Sequence, residues 1–69
     1  MDIAEQLIQN AGKRSTPVRN AVLGVLLNAE DVLSHSEVLE HLQQLGAFDR
    51  VTVYRALDWL VTQGLVHKV

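Results

Sequence analysis

Apolar residues recur along this chain at helical spacing, interrupted by a few sharp polar boundaries, and the pattern predicts four helices. Asp2 with Glu5 three residues later forms a capping-box pattern for a first helix over about residues 3–11. Ile3, Leu7 and Ile8 give that helix one apolar edge, and Gly12 stops it. Thr16 followed by Pro17 marks a second start, with a capping hydroxyl and a proline where its missing N–H costs nothing. Val18, Val22, Val25, Leu26 and Ala29 then repeat to about residue 29. Ala21, Leu23 and Leu27 broaden the stripe, so the helix over 17–29 is expected to be the central, buried one. Ser34-His35-Ser36-Glu37 repeats the capping-box pattern and opens a helix over 35–45 that buries Val38, Leu39, Leu42 and Leu45. Gly46 ends it, and Asp49 caps a fourth helix over 50–63, closed by Gly64. Leu65-Val66-His67-Lys68-Val69 is partly alternating and β-branched, which predicts a strand beginning at about residue 65.

The third and fourth helices, joined by a short glycine-containing connection, form a helix-turn-helix pattern. Many small bundles share that pattern, so the outward face of the fourth helix carries more information. At about 100° per residue, Val53, Ala56, Leu57, Leu60 and Val61 fall on one arc, toward the core. Val51, Arg55, Asp58 and Thr62 fall on the opposite arc, flanked by Tyr54 on one side and by Thr52 and Trp59 on the other. A helix that exposes arginine, tyrosine and threonine near its start suits a DNA major groove. Arginine bonds a guanine edge bidentately, and aromatic or apolar groups touch thymine methyls.

Composition narrows the alternatives. The 69 residues, 48% of them hydrophobic with 4 Gly and 1 Pro, exclude disorder and low complexity and fit one small domain. Such a domain buries only about 60% of its unfolded surface, so its core is marginal. No cysteine is present, which removes disulfides, thiolate zinc clusters and cysteine nucleophiles. The longest apolar run, from Ala21 to Leu27, is too short for a bilayer, and the acidic N-terminus resembles no signal or transit peptide. A soluble, cytoplasmic domain is expected. The net charge of −2 argues at first against a nucleic-acid partner, yet its distribution reverses the argument. Residues 13–19 carry +3 and residues 50–69 carry +2, on either side of an acidic block of −4 over residues 30–41. The local patch, not the total, sets an electrostatic footprint.

Thr52-Val53-Tyr54-Arg55-Ala56-Leu57 resembles the Thr-Val-Tyr-Arg signature of the ferric uptake regulator family. Gly12-Lys13-Arg14-Ser15-Thr16-Pro17-Val18-Arg19 resembles that family's entry into its second helix, and Gln63-Gly64-Leu65-Val66 the end of its recognition helix. The similarity spans roughly residues 10–69, and the joint spacing is specific where any single piece is not. The resemblance implies a mainly α, winged helix-turn-helix DNA-binding domain of a bacterial metal-responsive transcriptional regulator, usually a dimeric repressor. It also implies zinc or iron in the full-length protein, with no cofactor in this chain. Tyr54 and Arg55 match recognition-helix positions, Arg14 a basic residue near the minor groove, and Arg19 an arginine near the phosphates. Two departures stand out. The family's domain finishes with a two-stranded wing and continues into a C-terminal dimerisation and metal-binding domain, so residues 1–69 are expected to be part of a longer regulator. Where many members place a metal-binding histidine before the third helix, ungapped matching puts Val32, with His35 three positions later.

Duplex DNA is therefore the expected partner. Arg14, Arg19 and Arg50 approach phosphates, while Thr52, Tyr54 and Arg55 line the reading face. Each has a blander counterpart. Surface arginines are often merely solvated or paired with a local carboxylate, and Thr52 can satisfy backbone at a helix start. Trp59 is open: it can flank the DNA face, pack on the first helix, or cover another domain. Glu37 and His41, one turn apart, suit two metal ligands, but two make a poor site. Ser34 and Ser36 read as caps, and no nucleophile, acid and base converge, so no enzyme is expected. The rival function is a winged-helix protein-interaction module.

Overall fold

The structure, a computed structural model, describes residues 2–44, 46 and 48–66. Four helices run through them: α1 (Ile3–Asn10), α2 (Pro17–Asn28), α3 (His35–Gln44) and α4 (Arg50–Thr62). The boundaries agree with the sequence pattern to within a residue. Each start is explained by its cap. The Asp2 carboxylate accepts from the Ala4 N–H at 3.0 Å, Thr16 Oγ1 from the Arg19 N–H at 3.3 Å, and Asp49 from the Thr52 N–H at 3.3 Å. At α3 the capping box is reciprocal: Ser34 N–H donates to Glu37, and Glu37 N–H donates back to Ser34 Oγ. At α1 it is not reciprocal, because the Glu5 carboxylate accepts from Gln9 instead.

Helix α2 packs against each of the other three helices, and α3 packs on α4. The core between them is Ala4 and Ile8, Val22 and Leu23, Val38, Leu39 and Leu42, and Val53, Ala56, Leu57 and Leu60. No polar or charged residue is buried among the described residues. The α4 arc follows its periodicity, with Val61 half-buried at its margin. The α1 edge does not. Ala4 and Ile8 face α2, whereas Ile3 and Leu7 remain 70% and 41% exposed. The small Ala4 lies one turn before Ile8 on the buried side, which leaves Ile3 and Leu7 outward and only Ile8 of the expected edge in the core. The expected burial of Leu45 lies outside the described residues.

Two helix ends set the course of the chain. After α1, Gly12 adopts φ +76°, its N–H donates to Gln9 O, and the Lys13 N–H returns to Ile8 O. After α4, Gly64 adopts φ +73°, its N–H donates to Val61 O, and the Leu65 N–H returns to Leu60 O. Both are Schellman closures, which glycine makes without strain. The second bears on the strand expected from about residue 65, which is not seen in the described residues. Leu65 and Val66 form a bend folded back onto the core, and the N–H groups of both point at Leu60 O. With those donors committed to the helix end, these two residues form no ladder. The remainder of that strand, residues 67–69, lies outside the described residues. The architecture is a mainly α helix-turn-helix domain, with α3 and α4 joined through Gly46, Phe48 and the Asp49 cap. No helix among the described residues is long and apolar enough to cross a membrane.

Candidate nucleic-acid interface

The outward side of α4 carries Arg50, Val51, Arg55, Asp58 and Thr62, all exposed, with Thr52, Tyr54 and Trp59 half-buried at its margins. Two neighbouring elements border it. On one side the first turn of α2 forms a shallow cleft of about 360 Å³ with α4, lined by Thr16, Arg19, Thr52, Arg55 and Trp59. On the other side His35, the first residue of α3, packs edge-on against Tyr54 with ring centroids 5.5 Å apart. Arg55 stands between these borders.

The cleft is organised by Arg19. Its guanidinium carbon lies 3.6 Å from the centroid of the Trp59 ring, and its Nη1 donates to the Arg14 carbonyl at 2.9 Å. A guanidinium is planar and weakly hydrated, so it stacks on an indole while its rim still makes hydrogen bonds. The Schellman closure at Gly12 sends the chain into the segment bearing Lys13 and Arg14, both exposed. Arg19, Thr52 and Arg55 thus line one cleft, and the Arg14 carbonyl joins Arg19 to the segment before α2. Tyr54 belongs to the α3 side, and Arg50 stands at the first position of α4. Arg19 is half-buried against Trp59 rather than lying open on the surface. The sequence left Trp59 unassigned; its partner lies forty positions earlier and is set by the packing of α2 on α4. The signal available was the Thr52, Arg55, Trp59 stripe, spaced three and four residues apart on one helix face.

Thr52 is engaged with the helix start. Hydrogen bonding from Thr52 holds the Asp49 carboxyl below its ordinary value of 3.8, with the Arg55 charge a smaller contributor. The Glu37 carboxyl is likewise held below its ordinary 4.5 by the Ser34 backbone N–H and hydroxyl, with His41 adding a smaller pull. His35 Nε2 lies 3.6 Å from an Asp58 carboxylate oxygen, one turn beyond Arg55. Across the described residues no three of His, Asp and Glu converge, so the donors present do not fit a zinc or iron site.

The match to known proteins is extensive. The model of the ferric uptake regulator family matches residues 10–69, most of the chain. The chain belongs to that family. Its relatives include the zinc uptake regulation proteins of Escherichia coli (strain K12) and Shigella flexneri, each 37% identical over 67 residues. Those alignments cover 96% of this chain and 39% of each relative, so this family member spans well under half the length of the relatives it matches. No solved structure gives a significant match. The family segment contains the whole cleft, from Thr16 to Trp59.

Proposed function

We propose that residues 1–69 form a winged-helix module that binds duplex DNA for a metal-responsive transcriptional repressor. The observation that carries this reading is the pairing of Arg19 and Arg55 on the cleft beside α4, with Arg19 tied through the Arg14 carbonyl to the exposed basic segment before α2. Arg55, in the second turn of α4, enters the major groove and bonds a guanine edge, and Tyr54 beside it touches thymine methyls. Arg14, Arg19 and Arg50 neutralise phosphates. Thr52 holds the helix start in place for these contacts. The chain acts by binding, and its partner is a double-stranded operator.

A single module of this size buries limited surface, so affinity comes from a homodimer of the full-length regulator on two half-sites. Dimerisation and the regulatory zinc or iron are assigned to sequence beyond these residues, a division supported by the greater length of the zinc uptake regulation proteins. The test is fluorescence anisotropy on labelled duplexes over a salt series. With about four phosphates contacted, log affinity falls against log salt with a slope of roughly −3 to −4. A second reading, docking onto a protein, is favoured by an apolar groove of about 360 Å³ lined in part by Leu27, Val32, Val61 and Val66. Absence of binding to every duplex at low salt supports that reading instead.

A further inference from the structure

We infer that Trp59 is the positioning residue for Arg19, holding the phosphate-contacting arginine of α2 in fixed register with the base-reading Arg55 of α4. The inference rests on the DNA-binding reading above and assigns a role to a side chain that makes no contact with DNA in it. Arg19 begins on α2 and has a long, flexible side chain, yet two contacts fix its end. The ring face of Trp59 lies 3.6 Å beneath the guanidinium carbon, and the Arg14 carbonyl takes one N–H at 2.9 Å. A guanidinium carries five N–H donors. Stacking uses its face and none of these, and the Arg14 carbonyl uses one, so the outer rim remains available to phosphate oxygens.

Because Arg55 precedes Trp59 by one turn on the same cleft, the distance between the two arginines is set by α4 and the stack together. The bond to Arg14 extends the unit to the segment carrying Lys13. Arg19 and Arg55 therefore present their charges as one body. Ordering of Arg19 is completed in the free protein, and that pre-organisation is the source of the gain in affinity. A lysine at position 19 has neither the planar face nor the fork, and does not substitute.

The test is a double-mutant cycle on duplex binding with Arg19→Ala, Trp59→Leu and the pair combined. Trp59 is also half-buried against the core, so circular dichroism first establishes that each variant folds. Trp59→Leu weakens binding roughly two- to fivefold, leaves the base preference unchanged, and has no further effect once Arg19 is alanine. Trp59→Phe, which keeps a ring face, recovers part of the loss. Since Trp59 is the only tryptophan, Arg19→Ala also shifts its emission and acrylamide quenching in the free protein. An equal loss from Trp59→Leu with and without Arg19 overturns the positioning role and leaves DNA binding standing. A wild-type chain that binds no duplex overturns the DNA reading, and the positioning role with it.

Discussion

At the residue scale, the account separates side chains that read bases from those that hold the backbone. Arg55 is exposed in the second turn of α4 and its fork has no hydrogen-bond partner among the described residues, whereas Arg19 is stacked and bonded before any ligand arrives. Arg55→Ala is therefore expected to cost about 1–3 kcal/mol on the preferred site and to flatten discrimination between bases. Arg19→Ala is expected to weaken all duplexes alike and to lower the salt slope by about 1. Competition binding against matched and mismatched duplexes measures both. If Arg55→Ala lowers every affinity equally and keeps the base preference, the reading role belongs elsewhere. Much of this site was legible in the sequence because it lies on one helix. Arg55 outward and Tyr54 and Thr52 at its flanks follow from 3.6-residue periodicity alone. The Arg19–Trp59 stack was not legible, since it depends on how two helices distant in sequence dock.

At the element scale, side-chain caps set the helix starts. Thr16 satisfies the Arg19 amide at the very turn that bears the stacked guanidinium. Thr16→Ala is expected to cost about 1 kcal/mol and to lower Tm by about 4–8 °C, read by thermal denaturation. Two caps also carry a pH dependence. The folded-state carboxyls of Asp49 and Glu37 titrate below their ordinary values of 3.8 and 4.5. Their contribution to stability is complete above the unfolded values and disappears as pH falls through the lowered folded ones. Carboxyl NMR titration should place both midpoints below the ordinary values, and Ser34→Ala, which removes the hydroxyl but keeps the larger backbone N–H contribution, should raise the Glu37 midpoint only part of the way. A Glu37 midpoint unmoved by that substitution would remove the Ser34 hydroxyl as a contributor. These starts were readable from local spacing, because a cap reaches only two or three residues. The edge of α1 was not readable. Periodicity shows that Ile3, Ala4, Leu7 and Ile8 are apolar, but the docking of α1 on α2 decides which pair is buried.

At the scale of the whole molecule, charge is sorted by place. Arg19 and Arg55 border the α2–α4 cleft, while Glu30, Asp31 and Val32 line the apolar groove between the ends of α2 and α4. A polyanion and a protein partner would therefore meet different surfaces, although the net charge of −2 describes both poorly. The strand expected from about residue 65 is not seen at Leu65 and Val66, and its remainder lies outside the described residues. Leu65 and Val66 have strand-forming side chains, but the Schellman closure turns their backbone donors to Leu60. The most direct measurement is a titration of the ¹⁵N-labelled chain with duplex DNA at low salt, followed by amide chemical shifts. The account predicts that the largest changes fall on residues 13–19 and on Arg50, Thr52, Tyr54 and Arg55, together with the Trp59 indole. Val32, Leu33 and Val66 should stay nearly unmoved. Changes concentrated on the apolar groove with the basic cleft silent, or no changes at all, would contradict it.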